Sequence, residues 1–417
     1  MHTTQLPAAS SLAHHWSLDP SVCFLNHGSF GATPKAVLAQ QEQHRTQMEA
    51  EPVRWFVETL EPLLDSARTR MGTLMNADAD DLAFVTNATE GVSTIVSNLR
   101  FEAGDELLTS AHEYNACTNA LRLCAQRTGA KIISAPIPFP IESPEQAERA
   151  ILSAVTPRTK LVLLSHITSP TGLILPVQRI ISALNARGID TLLDSAHAPG
   201  FLPIDLKTLN PAYCTGNFHK WLCAPKGSAF LFVRKDRQHL IHPLRLSHGY
   251  NSARTDRSRF RLNFDITGTA DYSPALCAPT SLDFLSSLFP GGLNEVMHRN
   301  STLLLQGREI LCNALKITPP APTNMLGTLF AMILPPHATD VQSRLNARPT
   351  RYADALQDAL LKNWRIQVPV FRAAGLDGPS GAPHRILRIA AQLYNTPAQY
   401  EYLAKAVQHE LHEESKL

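Results

Sequence analysis

Lys220 stands in the run Asn217-Phe218-His219-Lys220-Trp221-Leu222-Cys223-Ala224-Pro225-Lys226-Gly227. Upstream, an apolar stretch ends in Leu192-Leu193-Asp194-Ser195-Ala196-His197. A lysine amine can form a Schiff base with an aldehyde cofactor such as pyridoxal phosphate. A carboxylate can hold the pyridine nitrogen of such a cofactor protonated, so that its ring draws in electrons. An aspartate at the end of one strand and a lysine after a further strand supply both groups from one sheet edge. Either residue alone would be an ordinary strand-end or surface side chain; the pairing carries the reading.

Further residues suit the same chemistry. Val85-Thr86-Asn87-Ala88-Thr89-Glu90-Gly91 joins a strand to a helix, and its backbone N–H groups with the Thr89 hydroxyl form a phosphate-type anion site; a plain helix cap at Thr89 is the alternative. In Ser110-Ala111-His112-Glu113-Tyr114-Asn115, His112-Glu113 begins like a zinc-binding H-E-x-x-H helix, but Ala116 fills the position where the pattern would continue and no metal site is expected. Tyr114 is the candidate to stack on a planar cofactor, with His112 the alternative. His197 comes from the same turn as Asp194 and could reach the cofactor's phenolic oxygen. His219 and Asn217 are polar candidates for the phosphate, and Lys226, directly before Gly227, is a poorer imine former than Lys220. In Arg385-Ile386-Leu387-Arg388-Ile389-Ala390, strand alternation puts the two arginines on opposite faces, so one of them can clamp a substrate carboxylate.

The elements that must position these residues follow from the apolar pattern. Short apolar runs at 82–85, 106–109, 131–134, 160–165, 190–193, 212–215 and 228–234 read as strands, with amphipathic helices at 91–99, 117–127 and 177–187 between them. That alternation indicates an α/β chain with a mostly parallel seven-stranded sheet flanked by helices, in which ligands sit beyond the strands' carboxyl ends. Residues 34–75 read as a long helical region broken near Pro52 and Pro62, and 242–264 as a long functional loop. The last third, with strands expected at 328–334, 365–370 and 384–390 and helices at 351–362 and 396–413, reads as a smaller α+β domain. Phe289-Pro290-Gly291-Gly292 divides the two, giving an arm over 1–25, a large domain over 26–289 and a small domain over 290–417.

Composition narrows the partners. A formal net charge of +2 without any Lys/Arg block gives no sign of nucleic acid or an anionic membrane as partner. Seven cysteines with no C-x-x-C pair read as reduced buried thiols of a cytoplasmic protein. Residues 1–20 carry no signal-peptide pattern, and the apolar runs are too short to span a bilayer.

With these residues placed, the chain from Phe24 to Leu411 resembles the class V aminotransferase family of pyridoxal-phosphate enzymes, in its isopenicillin N epimerase-like branch. The motifs that carry the likeness are Leu25-Asn26-His27-Gly28-Ser29-Phe30-Gly31, Thr171-Gly172-Leu173-Ile174-Leu175-Pro176, Asp194-Ser195-Ala196-His197-Ala198-Pro199-Gly200 and His219-Lys220-Trp221-Leu222-Cys223-Ala224-Pro225. The resemblance implies the aspartate-aminotransferase-like fold, Lys220 as the Schiff-base lysine and Asp194 as the pyridine partner. It also implies Tyr114 as the stacking ring, Ala88, Thr89 and His219 at the phosphate, and Asn26, His27 and Arg388 toward the substrate. Thr269, in Thr267-Gly268-Thr269-Ala270-Asp271, would reach the phosphate of a neighbouring subunit in a homodimer with shared sites.

The expected activity is removal of the Cα proton of an amino acid or amino-acid conjugate by Lys220, leading to epimerisation or C–S lysis. Transamination, and a non-catalytic cofactor-binding protein, are the alternatives. Tyr114, His112 or a residue of 242–264 could supply the acid that an epimerase needs on the opposite face. Two departures from the family pattern stand out. Asn217 replaces a common serine, so another phosphate ligand must compensate, and no cysteine lies between Pro369 and Arg385, which argues against a persulfide-forming desulfurase. Arg254, Arg257, Arg259 and Arg261 suggest a second anionic group on the substrate, with a solvated basic loop the alternative and Arg54 a comparable candidate.

Overall fold

After a two-residue strand, β1 (Cys23–Phe24), seven strands form the main sheet: β2 (Leu82–Val85), β3 (Glu106–Ser110), β4 (Lys131–Ala135), β5 (Thr159–Ser165), β6 (Asp190–Asp194), β7 (Tyr213–Asn217) and β8 (Ala229–Val233). They lie in the order β2-β8-β7-β6-β5-β3-β4, and only β8 runs against its neighbours. The structure is a computed structural model that describes residues 5–377 and 383–417. All seven strands fall where the apolar runs place them.

Alternation persists inside those runs. Leu107, Leu161, Leu163 and Leu192 pack on one face with Val92, Ile95 and Val96 of the helix Ala88–Asn98 and Leu121 of the helix Asn115–Thr128. Leu108, Val162, Leu164 and Leu193 pack on the other face with Ile180, Ile181 and Leu184 of the helix Val177–Asn185. Both faces are covered, so strands of a parallel sheet read as continuous apolar runs while their side chains still alternate. Each buried aliphatic side chain contributes about 1.5–3 kcal/mol. This anchoring holds fixed the helix starts that flank the site.

A second, antiparallel sheet is built from β9 (Leu329–Ile333), β11 (Val370–Asp377) and β12 (Pro383–Ala390) in the order β11-β12-β9, while β10 (Ile366–Gln367) pairs in parallel with β1. The helices Gly292–Leu315, Ala355–Trp364 and Pro397–Ser415 cover this part of the chain. The arm is therefore less irregular than expected. Its described part carries a short 3-10 turn, Ser11–His15, and Trp16 packs edge-on against Phe284 and Tyr394. Residues 1–4 of the expected arm lie outside the described residues.

Three expectations need correction. Pro62 does not break its helix: the five residues Trp55–Thr59 just before it are wound as a π-helix, which loosens the turn facing the proline ring, and the helix Leu60–Leu74 continues through it. Strand 365–370 is two strands, β10 and β11. The stretch 242–264, read as a loop, ends in the helix Arg259–Asp265, capped by Ser258 and buried through Phe260, Leu262 and Phe264. Its arginines disguise the pattern because they too turn inward. Arg257 and Arg261 converge with Arg68 on Asp265 and Asp65.

Candidate active site

The ends of β2, β3, β5, β6 and β7 open on one edge of the sheet, and the segments that follow them line a cavity of about 560 Å³. Of the residues expected from the sequence, Ala88, Thr89, Tyr114, Asp194, His197, Asn217, His219 and Lys220 all line it. A larger space of about 830 Å³ shares Tyr114 and Lys220 with it and reaches Arg388 and the edge strand β11.

Lys220 is half-buried at the cavity wall, its Nζ 3.2 Å from His197 Nε2. Burial pulls the amine down to about 8, against the opposing pull of the Asp194 charge. Asp194 is buried beneath it, accepting the Ala196 N–H at 2.8 Å and the Cys117 thiol at 3.3 Å. Loss of water raises the Asp194 carboxyl, while those hydrogen bonds and the Lys220 charge oppose the rise. His197 is held neutral by burial first and by the nearby cations second.

At the start of the helix Ala88–Asn98 the cap is Asn87, whose side chain accepts the Glu90 N–H at 2.9 Å. Thr89 therefore need not cap the helix and is free to face the cavity. Asn217 accepts the Ala88 N–H at 2.8 Å through Oδ1, so its NH₂ group remains available beside the same helix end. His219 leans on the Ser228 carbonyl through Nδ1 at 3.2 Å and keeps Nε2 for the cavity. Burial, followed by the Lys220 charge, lowers it to about 4. Gly31, at φ 70°, runs so close to the His219 carbonyl that any Cβ would collide with it, which keeps the turn Gly28–Gly31 tight over Lys220.

The two arginines of β12 face opposite ways, as the alternation requires. Arg385 is locked between Asp354 and Glu414. Arg388 is 6% exposed, donates to the Ser169 carbonyl and to Ser29 Oγ, and pairs with no carboxylate among the described residues. Phe371 flanks its guanidinium at 6.0 Å, and burial lowers it to about 10.

Some expected residues stand elsewhere. His27 lines neither cavity: it is 1% exposed, with Nδ1 2.8 Å from the Tyr394 hydroxyl and Nε2 3.0 Å from the Lys220 carbonyl, so it braces the lysine from behind. Asn26 also lies outside both cavities and accepts from Ser29 Oγ at 2.6 Å, reaching Arg388 only through that serine. His112 is enclosed between Thr171 and the Ile137 carbonyl, so Tyr114, about half exposed, is the ring at the cavity. Thr269 is exposed and, like every residue of 242–264, is absent from the walls of both spaces around Lys220.

Arg254 pairs with Glu61 and Asp256, Arg54 with Glu51 and Glu58, and Arg259 with backbone carbonyls, so this arginine group has protein partners within its own chain. Ser29, Ser169, Cys117 and Trp221 complete the site. None of them is distinguishable by residue type, although Ser29 and Trp221 sit inside the two motifs that drew notice.

A half-buried amine, a buried carboxylate at the end of the neighbouring strand, a helix start furnished with Thr89, Asn217 and His219, and a ring at the mouth form a donor set that fits pyridoxal phosphate. This fold and site define a pyridoxal-phosphate-dependent enzyme. The chain belongs to the aminotransferase class-V family, which matches residues 24–284.

Among curated relatives, an isopenicillin N epimerase of Amycolatopsis lactamdurans is 34% identical, over 94% of this chain and 96% of its own. A probable chloroplastic L-cysteine desulfhydrase of Arabidopsis thaliana is 27% identical, over 95% and 84%. Among solved structures, the cystine C–S lyase C-DES superposes with a TM-score of 0.74 at 18% identity, covering 92% of this chain and 96% of its own. The cysteine desulfurase CsdA of Escherichia coli gives 0.75 at 19%, covering 96% and 98%. At such identities the two structures speak for the fold alone. All seven cysteines here are buried, and burial raises the Cys117 thiol beside Asp194, so the chain offers no exposed thiolate for persulfide chemistry.

Proposed function

We propose that the chain epimerises an amino acid or amino-acid conjugate at Cα. The observation that carries the reading is Arg388, a buried guanidinium with no carboxylate partner among the described residues, in the same space as Lys220. A buried cation left uncompensated calls for an anion, and a substrate α-carboxylate supplies one while directing Cα toward the lysine. Pyridoxal phosphate, when bound, withdraws electrons from the substrate's Cα and so acidifies its proton. Lys220 removes that proton as a neutral amine, a state favoured by its lowered pKa. Asp194 would hold negative charge at the pyridine nitrogen, Ala88, Thr89, Asn217 and His219 would hold the phosphate, and His197 would donate to the phenolic oxygen.

Of the three sources considered for an opposite-face acid, Tyr114 is the one that lines the cavity. The space of about 830 Å³ suits a conjugate better than a bare small amino acid. C–S lysis is the second reading, favoured by the desulfhydrases among the relatives. Transamination ranks behind both.

The same reading makes the protein a homodimer in which Thr269 serves the partner's phosphate. Exposed Phe30, Val53, Val57, Leu244 and Leu246 support it as apolar surface that a second subunit would cover. The unpaired buried cysteines support a cytoplasmic location. Among the described residues no helix is long and apolar enough to cross a membrane. We divide the chain at 289/290, where the helix Ala278–Ser287 gives way to Gly292–Leu315.

The test is a visible spectrum of the purified protein before and after adding amino acids and S-conjugates in deuterated water. A cofactor band that Lys220→Ala lacks, together with deuterium at Cα and inverted chirality, is the expected result. Pyruvate release without inversion would select the lyase reading. No band after soaking with pyridoxal phosphate would sink both.

A further inference from the structure

Glu113 entered the sequence only as part of a failed zinc pattern, and the reaction outlined above does not use it. Its carboxyl is buried at the wall of the larger space, where Oε1 accepts the Tyr114 N–H and Oε2 shares a hydrogen bond with the Ser165 hydroxyl, each at 2.8 Å. One ligand atom each from Glu113, Cys117 and Asp194 lies within 4.8 Å of the others. Two carboxylates are thus enclosed side by side, at the spot where a single negative charge is wanted.

The surroundings of the two acids differ. Asp194, at the end of β6, faces the Lys220 amine and accepts from Ala196 and Cys117. Glu113, after β3, meets Asp194 from β6, Ser165 from β5 and the Cys117 thiol from the helix Asn115–Thr128; Lys220 lines the same larger space. Like charges this close on two buried side chains cannot both persist, so one acid takes a proton. The acid nearer the cation stays ionised.

We propose that Glu113 stands as a neutral carboxylic acid behind Asp194, so that the pair carries one negative charge and that charge is on Asp194. Burial and the Asp194 charge both push the Glu113 carboxyl upward, which agrees with this placement. Glu113 is then a positioning residue. If it ionised, Asp194 would be driven to take up the proton and would lose the charge proposed to face the pyridine nitrogen. That consequence rests on the proposed role of Asp194; the proton's location does not.

Infrared spectroscopy of the cofactor-free protein at neutral pH tests the assignment. A carbonyl stretch of a protonated carboxyl is expected, and it should be absent in Glu113→Gln. Should the glutamine variant fold poorly, heavy-carbon labelling of glutamate in the unaltered protein must move the band, and labelling of aspartate must not. Raising the pH should remove the band, at a lower midpoint in Asp194→Asn. Loading with pyridoxal phosphate should leave it in place at neutral pH. Absence of the band, its survival in Glu113→Gln, a response to aspartate labelling, or its loss on loading would each overturn the proposal. A protein that shows the band yet develops no visible absorption with pyridoxal phosphate would keep the acid pair and refute the cofactor role instead.

Discussion

Trp221 Nε1 donates to His197 Nδ1 across 3.2 Å, and this bond settles which nitrogen of the imidazole serves the cavity. A neutral imidazole has one acceptor nitrogen, and Nδ1 is spent on the indole, so Nε2 carries the hydrogen and presents it to the cavity beside Lys220 Nζ, 3.2 Å away. Trp221→Phe removes the lock without emptying the space, and His197→Asn removes the ring. Both should raise the pH midpoint of the bound cofactor's visible absorption, by about 0.5–1 unit for a lost hydrogen bond of about 1 kcal/mol. Phe201→Leu alters the packing against Trp221 but not the bond, and should leave the midpoint in place.

Lys220 gives the cofactor-free protein a distinctive pH dependence. Its folded pKa of about 8 lies below the unfolded value near 10.5, so between those limits the unfolded chain binds more protons and stability rises with pH. Below about 8 the buried ammonium costs roughly 3 kcal/mol, at about 1.4 kcal/mol per unit. Lys220→Met should therefore stabilise the cofactor-free protein more at pH 7 than at pH 10 in urea unfolding. Equal gains at both would show that the amine is not desolvated.

Arg388→Gln should raise KM by roughly 10–100-fold, the worth of one or two charge-assisted hydrogen bonds, and leave the cofactor spectrum intact. Asn26→Ala loosens only the Ser29 hydroxyl that Arg388 holds, so its effect should have the same sign and be several-fold smaller. An Asn26 variant that matches the Arg388 variant would instead place Asn26 against the substrate.

Arg385 supplies a control from the same strand. Removing it as Arg385→Leu strands Asp354 and Glu414 in the interior and should cost about 3–5 kcal/mol in denaturant unfolding. Affinity for pyridoxal phosphate in the folded fraction should not change.

Acid should weaken the fold early. Burial lowers His27 to about 3 and His112, His166 and His219 to about 4, so below pH 6.5 the unfolded chain takes up protons that the folded one refuses. Urea midpoints should drop between pH 6.5 and 4.5. His112→Gln should flatten that slope by removing one titrating ring.

The seven-stranded sheet was legible because each strand is a short apolar run bounded by turns, and its cover on both faces made those runs continuous. That Lys220, Asp194, His197 and Arg388 gather around one opening was legible because the chemistry proposed for them is tied to residue type. Pattern fails where type and role part. His27 sits in a motif that suggests substrate but braces the Lys220 carbonyl, and Arg257 and Arg261 look like a solvated or ligand-binding loop but close a buried charge cluster. Glu113 escaped notice because its partner, Asp194, is distant in sequence and adjacent only through the β3-β5-β6 strand order.

The pairing of β1 with β10 has a bearing on how the chain is made. Cys23 and Phe24 meet Ile366 and Gln367, and Ser10 is tied to residues 393 and 394, so the segment that carries the Gly28–Gly31 turn is secured by residues that leave the ribosome more than 340 positions later in the chain. Such distant pairings are slow to close, and the seven strands can assemble well before them. A nascent chain therefore holds a finished sheet with Lys220 uncovered until residues 366–394 emerge. Premature termination would yield a protein with most of the phosphate-binding side chains and no lid over the lysine.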